Sequence, residues 1–102
     1  MEKTCAITKI VNHLAKKWTL HVLRELHEKK IRRFTELLFD MQTISPRTLS
    51  ARLKELEQLG LILKTKYNEL PPRVEYSLTP KGRDLIKCFR YLDGWAKKHL
   101  SS

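Results

Sequence analysis

The chain has 102 residues, 41% of them hydrophobic, and 21 Lys and Arg against 11 Asp and Glu give a formal net charge of +10. This length predicts one domain over residues 1–102 with a single core. No stretch is apolar for the roughly 18 to 20 residues of a membrane-spanning helix, and the first residues lack the apolar segment of a signal peptide. We therefore expect a cytoplasmic protein with no membrane contact, whose positive field attracts polyanions.

The sequence contains no recognisable catalytic or metal-binding motif. Its four histidines are scattered, with neither HExxH spacing nor a Gly-rich phosphate loop. Two cysteines, Cys5 and Cys88, are far apart and lack the CxxC spacing of zinc sites. We therefore expect neither an enzyme nor a metal site, and no cofactor.

The pattern of apolar residues in the N-terminal third of the chain predicts two helices and a short extended segment. Apolar residues recur at helical spacing along the first helix: Ile7, Ile10, Val11 and Leu14. A second helix follows from Trp18 to about Glu28. Residues 31–34 are too short for an independent strand but fit the edge of a sheet.

Two further helices are marked by their capping residues. Thr35 is the predicted N-cap of a short third helix. Ser45 followed by Pro46 opens the fourth, because proline is favoured at a first helical position where its missing N–H has no partner. This fourth helix runs over about 46–59 and ends at Gly60.

A hairpin and a long helix complete the chain. Residues 61–68 and 74–78 predict two strands around Pro71-Pro72, a two-stranded β-hairpin wing over about 61–78. Thr79-Pro80 then starts a fifth helix, with Gly82 in its first turn, that extends to about His99. Its predicted inner stripe consists of Leu85, Phe89, Leu92 and Ala96. The element order is that of a winged helix-turn-helix, a mainly helical α+β fold with a long C-terminal helix.

The fourth helix has a core face and an outer face. Leu49, Leu53 and Leu56 share the core face, and Arg52 lies near it, where we expect a pair with an acidic neighbour or a phosphate. The outer face combines long donors with small side chains that allow close approach to the major groove. The residues of this helix and its cap that we expect at DNA are Ser45, Pro46, Arg47, Thr48, Ser50, Ala51 and Lys54. A solvated basic surface is the alternative, and the position of the helix before a hairpin favours DNA.

Other residues extend this predicted DNA interface. They are Arg33 and Thr35 before and at the third helix, and Lys64, Lys66 and Arg73 in the wing. Arg73 follows Pro71-Pro72 at the tip, which suits the minor groove or its flanking phosphates. The alternative is that the prolines only protect an exposed edge and that the cations serve solubility.

Several collinear motifs resemble the HxlR family of winged-helix regulators, which is related to MarR-like regulators. They are residues 17–19, 23–26, 33–37, 44–57 and 71–79, followed by Gly82. The resemblance spans nearly the whole chain and implies a prokaryotic homodimer that binds double-stranded operator DNA. It also implies that the first and last helices, about 7–16 and 81–99, supply the dimer contacts. The expected interface residues are Ile7, Ile10, Val11, Leu14, Cys88, Tyr91, Leu92 and Trp95. With Ile86, the last helix carries more apolar surface than a domain of this size covers alone.

The resemblance also implies a thiol sensor at Cys5. The family commonly has Cys-Pro there and glycines before Trp18, whereas this chain has Cys5-Ala6 and Ala15-Lys16-Lys17. Nearby lysines favour the reactive thiolate, whereas Cys88 is expected to be a buried small hydrophobe. Two alternatives stay open beside the operator-binding regulator. They are thiol-based redox or electrophile sensing, and a protein–protein adaptor without specific DNA binding.

Overall fold

The computed structural model describes residues 6–100. Five helices and three strands lie in this part of the chain: α1 (Ala6–Leu14), α2 (Thr19–Lys29), β1 (Ile31–Arg33), α3 (Phe34–Met41), α4 (Pro46–Gln58), β2 (Ile62–Tyr67), β3 (Arg73–Leu78) and α5 (Pro80–His99). This order confirms the predicted winged helix-turn-helix. None of these helices is both long and apolar enough to cross a membrane.

The wing belongs to a three-stranded antiparallel sheet with the order β1-β3-β2. Ile31 pairs with Ser77 and Ile62 pairs with Leu78, so β3 is central and both of its edges are used. The prediction of a two-stranded wing is therefore wrong in this detail. The short segment before α3 forms the edge strand β1, which satisfies backbone groups that β3 would otherwise leave unpaired.

The core lies where α2, α3 and α4 meet beneath this sheet. Its most deeply buried side chains are Val22, Leu23, Leu26, Leu37, Leu49, Leu53 and Leu56. Ile62, Tyr76 and Leu78 add the inner face of the sheet. The predicted core face of α4 is thus confirmed, and its opposite face is left to solvent.

Capping chemistry sets the ends of α4 and α5 as predicted. Ser45 Oγ accepts a hydrogen bond of 3.1 Å from Thr48 N, and Pro46 is the first helical residue. Gly60 follows the helix with a φ of 78°, a left-handed conformation that glycine adopts without a Cβ penalty. Thr79 Oγ1 accepts from Gly82 N at 3.0 Å and starts α5.

The start of α3 differs from the prediction. The helix begins at Phe34, so Thr35 lies inside its first turn and Arg33 is the N-cap. Arg33 N donates to Glu36 Oε1 at 2.8 Å. The Glu36 carboxylate thus satisfies the N–H of the N-cap residue, and the prediction of Thr35 as the N-cap is wrong.

The packing of α5 also corrects three expectations. Ile86, which we expected on the outer surface, is buried, whereas Leu92 of the predicted inner stripe is 64% exposed. Cys88 is exposed and is not the buried hydrophobe that we expected. The helix has 20 residues, and the side chains that it packs on the core, Leu85, Ile86 and Phe89, all lie in its first half. The helical spacing of apolar residues does not show how much of the helix lies on the core.

A candidate DNA interface on the fourth helix

The outer face of α4 is formed by exposed residues that carry donors or are small. Arg47, Ser50, Ala51 and Lys54 are all exposed, and Thr48 is half-buried. Within residues 6–100, the side chains of Arg47 and Lys54 have neither a hydrogen bond nor an ion pair. Both cations are therefore available to a ligand, and the small residues between them let the helix backbone approach it.

The two hydroxyls at the start of α4 hold each other. Ser45 Oγ donates to Thr48 Oγ1 at 2.9 Å while it accepts from Thr48 N. Pro46 has no N–H, and Leu49 N donates to Ser45 O. In the described part of the chain, the first-turn N–H left for an outside acceptor is therefore that of Arg47. Arg47 combines this backbone donor with its guanidinium.

An ion-pair cluster fixes the other flank of α4. We call it the Glu55 clamp and define it as Lys16, Lys17, Arg52 and Glu55. Glu55 Oε2 lies 3.1 Å from Lys16 Nζ, and Glu55 Oε1 accepts from Arg52 Nη1 at 2.9 Å. Arg52 Nε also donates to the backbone carbonyl of Lys17 at 3.1 Å. The expected acidic partner of Arg52 is thus Glu55, and the clamp ties α4 to the turn between α1 and α2.

The electrostatics of the clamp keep the Glu55 carboxylate charged. Burial alone raises the pKa of Glu55, but hydrogen bonds from Lys16 and Arg52 outweigh it and hold the pKa below its ordinary value. The role of Lys16 was not predicted from the sequence. The available signal was a pair of lysines at the place where the family commonly has glycine.

The register of the wing separates its predicted DNA contacts onto two faces. Lys64 pairs with Tyr76 and Lys66 with Val74, so both lysines share the sheet face that covers the core. Tyr67 pairs with Arg73, which places Arg73 on the opposite face. Because β2 contacts α4, the two lysines are on the side of the sheet where α4 lies. Both lysines are exposed.

Arg73 is held within the wing and does not extend freely from its tip. Its Nη2 atom lies 3.2 Å from Glu69 Oε2 and its Nε atom 3.5 Å from Glu75 Oε2. The guanidinium carbon also lies 4.0 Å from the centroid of the Tyr67 ring. Two carboxylates thus offset the positive charge of Arg73, which we predicted to contact DNA. Lys64 and Lys66 are therefore the more available cations of the wing.

The arginines before α3 have different surroundings. Arg33 is exposed and pairs with Glu75, which puts it on the same sheet face as Arg73. Arg32 Nε donates to Asp40 Oδ2 at 2.9 Å. Burial raises the pKa of Asp40, but this hydrogen bond and the charge of Arg32 lower it further than burial raises it. Arg32 therefore anchors α3 to the sheet.

On α3, the outer surface carries an aromatic side chain that the sequence analysis did not single out. Phe39 is 78% exposed, and Thr35 lies one turn before it and is also exposed. An apolar residue in an amphipathic pattern is normally assigned to the core, so the exposure of Phe39 could be seen only in the structure.

The residues expected at a dimer interface lie on α1 and α5 and are mostly open to solvent. Large exposed side chains among them are Ile7, Val11, Tyr91, Leu92 and Trp95. Ile10 and Leu14 are half-buried, and α1 contributes no fully buried residue. Between α1, α2 and α5 lies a groove of about 790 Å³. Cys5 lies outside the described residues.

The model of the HxlR-like helix-turn-helix family matches residues 13–102. The chain belongs to the HxlR family. An HTH-type transcriptional regulator of Methanothermobacter thermautotrophicus is 40% identical over 100 residues, which cover 98% of this chain and 76% of the relative. As a member of this family, the protein is a helix-turn-helix transcriptional regulator, a class that binds DNA and does not comprise enzymes.

Solved structures of transcriptional regulators are similar over almost the whole chain. The reduced transcriptional regulator YodB of Bacillus subtilis superposes with a TM-score of 0.84 at 31% identity, covering 95% of each chain. YodB has also been solved after diamide treatment. The redox regulator HypR in its oxidised form superposes with a TM-score of 0.81 at 28% identity, covering 96% of this chain and all of HypR.

Proposed function

We propose that the protein regulates transcription by binding a pseudo-palindromic operator as a homodimer, with the α4 helices of the two protomers in successive major grooves. The observation that carries this proposal is the outer face of α4, where Arg47 and Lys54 are exposed and unpaired beside small residues. An arginine there can donate two hydrogen bonds to a guanine, and a lysine can reach a phosphate. Successive grooves on one side of the duplex require a spacing of about 34 to 36 Å between the two helices.

Each predicted residue has a role in this arrangement. Arg47 contacts a base, and Ser45, Pro46, Thr48, Ser50, Ala51 and Lys54 form the surface around it. Lys64 and Lys66 contact phosphates from the sheet face that lies towards α4. Arg33, Thr35 and Arg73 lie at the periphery, where Arg73 contributes less because Glu69 and Glu75 offset its charge.

The homodimer is supported by the apolar side chains exposed on α1 and α5. Tyr91 is 83% exposed and Trp95 is 56% exposed. Contiguous apolar surface of this kind on a small protein typically marks an interface. We propose that a second copy covers this surface through the same residues, with Ile7, Ile10, Val11 and Leu14 from α1 and with Cys88 and Leu92 from α5.

A mobility-shift assay with the DNA upstream of the protein's own gene tests the operator proposal, followed by hydroxyl-radical footprinting. We expect a sequence-specific complex with two protected segments about one helical turn apart. Binding without sequence preference at physiological salt would contradict the proposal and favour the adaptor alternative. A single protected segment would contradict the homodimeric arrangement.

The variant Lys66→Ala tests the role of the wing. We expect it to weaken binding to all sequences alike and to lower the slope of log K against log salt by about 1, because one phosphate contact is lost. Lys98→Ala is the matched control, since it removes the same charge at the end of α5. Equal salt slopes for the two variants would show that the wing makes no phosphate contact through Lys66.

A second proposal is that the thiol of Cys5 regulates DNA binding. It is supported by the redox regulators among the similar structures, since YodB has been solved in a reduced and a diamide-treated form. We expect diamide, which oxidises two thiols to one disulfide, to weaken DNA binding of the parent protein but not of Cys5→Ser. The second thiol is then either Cys88 or Cys5 of the second copy. An unchanged response of Cys5→Ser would exclude Cys5 as the sensor.

A further inference from the structure

A second cavity lies between α2, α5 and one end of the sheet. Its volume is about 360 Å³. We call it the basic cleft and define it by an apolar floor of Leu26, Leu78 and Ile86 and a cationic rim of Lys30, Lys87 and Arg90. The floor residues are buried core side chains, and the rim residues are exposed. The cleft therefore joins a rigid apolar surface to side chains that can move to meet a ligand.

The basic cleft is separate from the proposed DNA interface. At the wing tip, Tyr67 pairs with Arg73, whereas the cleft is lined by Ile31, Ser77 and Leu78. Ile31 pairs with Ser77 at the opposite end of the sheet from the tip. The rim cations thus lie away from Lys64 and Lys66 in the outer part of the wing, and their charge has no role in the proposed phosphate contacts.

The electrostatics of the cleft favour an anion. No Asp or Glu is among its lining residues, which also include His27 and Arg83. Within residues 6–100, the side chains of Lys30 and Arg90 have no ion pair, and Lys87 is 3.9 Å from Asp84 in a pair that is mostly exposed. Arg83 is fixed by a hydrogen bond of 3.1 Å from its Nη1 atom to Leu78 O. Within residues 6–100, Lys30 and Arg90 therefore lack acidic partners of the kind that neutralise Arg32, Arg52 and Arg73.

The position of Lys30 at the end of α2 is fixed by its backbone. Its N–H donates to Leu26 O at 3.0 Å, and its φ is 71°. Trp18 and Gln42, which also flank helices, have positive φ as well, so this conformation belongs to the helix end. The Lys30 side chain lines the cleft at this point.

We propose that the basic cleft binds a small monocarboxylate with an apolar tail or ring. The carboxylate accepts hydrogen bonds from Lys30 and Arg90, and the apolar part packs on Leu26, Leu78 and Ile86. The volume is near the lower end of the range for ligand pockets, roughly 300 to 1,000 Å³, which favours a small ligand. Such a ligand bridges α2 and α5, because Lys30 belongs to the end of α2 and Arg90 to α5.

Octanoate is a suitable probe, and the titration of the full chain can be followed by the backbone amide shifts in ¹⁵N NMR. We expect saturable shifts for Lys30, Ile31 and residues 77–87. The neutral alcohol 1-octanol should bind about tenfold more weakly, because it lacks the charge-assisted hydrogen bonds. Equal binding of the alcohol would overturn the proposal. Shifts confined to the groove between α1 and α5, at Val11, Leu20 and Leu92, would overturn it as well.

Lys30→Gln gives the most specific test, because Lys30 lines the basic cleft but not the neighbouring groove. We expect this variant to raise the octanoate Kd about tenfold. Lys98→Gln removes the same charge at a distance and should leave the Kd within about twofold. Lys30 is exposed, so the variant should fold, and Lys87→Gln provides a second change on the same rim. Unchanged affinity in both rim variants would overturn the proposal. The binding measurement needs no DNA, so its outcome is independent of the operator proposal.

Discussion

The substitution Gly82→Ala should destabilise the protein by about 3 kcal/mol or more, a large part of the 5 to 15 kcal/mol typical of a domain. A Cβ atom at this position would lie only 2.1 Å from the carbonyl oxygen of Leu61. That oxygen also accepts a hydrogen bond of 3.0 Å from Thr79 N, and Leu61 is buried, so the carbonyl cannot turn away without further loss. Urea denaturation followed by circular dichroism measures the effect.

Gly94→Ala is the matched control on the same helix. Nothing lies within 4 Å of a Cβ atom at this position. Alanine should therefore stabilise α5 by about 1 kcal/mol through its higher helix propensity. If Gly82→Ala unfolded at the same urea concentration as the parent, the close approach of α5 to Leu61 would not be required for folding.

The substitution Arg47→Ala should lower operator affinity by roughly ten- to a hundredfold and relax the base preference at one position of each half-site. A bidentate contact from arginine to guanine contributes about 1 to 3 kcal/mol of discrimination. Arg47 is exposed at the start of α4 and, within the described residues, its side chain has no competing partner. The measurement is a competition mobility shift with operators changed one base pair at a time.

Arg47→Lys distinguishes base recognition from charge. Lysine keeps the positive charge but lacks the planar fork that fits a guanine edge. We therefore expect Arg47→Lys to retain binding to unrelated DNA and to lose most of the base preference. If the lysine variant kept the full preference, Arg47 would contact phosphate only, and base recognition would have to be assigned to another residue of α4.

The ends of α4 and α5 were predictable because capping is local chemistry. Ser45 and Thr79 each accept from a backbone N–H three residues ahead, and Gly60 ends α4 with a positive φ. The outer face of α4 was also predictable, because the helical spacing of its three leucines identifies the buried face and therefore the opposite one. The order of the elements then predicted the winged helix-turn-helix, and the collinear motifs identified the family.

Other features depended on contacts between distant parts of the chain. A glycine in the first turn of a helix is harmless by local rules, and only the Leu61 carbonyl shows why Gly82 is needed. Ile86 and Leu92 fit helical stripes equally well, but only the first half of α5 lies on the core. Arg73 was predicted as a free cation because the sequence does not show that two glutamates and Tyr67 surround it.

The Glu55 clamp sets a limit on allosteric control from the N-terminal side. α1 contributes no fully buried residue, and a displacement of the turn that follows it would change the contact between Lys16 and Glu55 of α4. A partly exposed ion pair contributes only about 0.2 to 1 kcal/mol after solvent screening, which corresponds to a factor of about 1.4 to 5 in an equilibrium constant. By linkage, operator DNA changes the affinity for an effector by the same factor as the effector changes that for DNA. Coupling through the Lys16–Glu55 ion pair alone therefore gives a graded response of about fivefold at most per protomer.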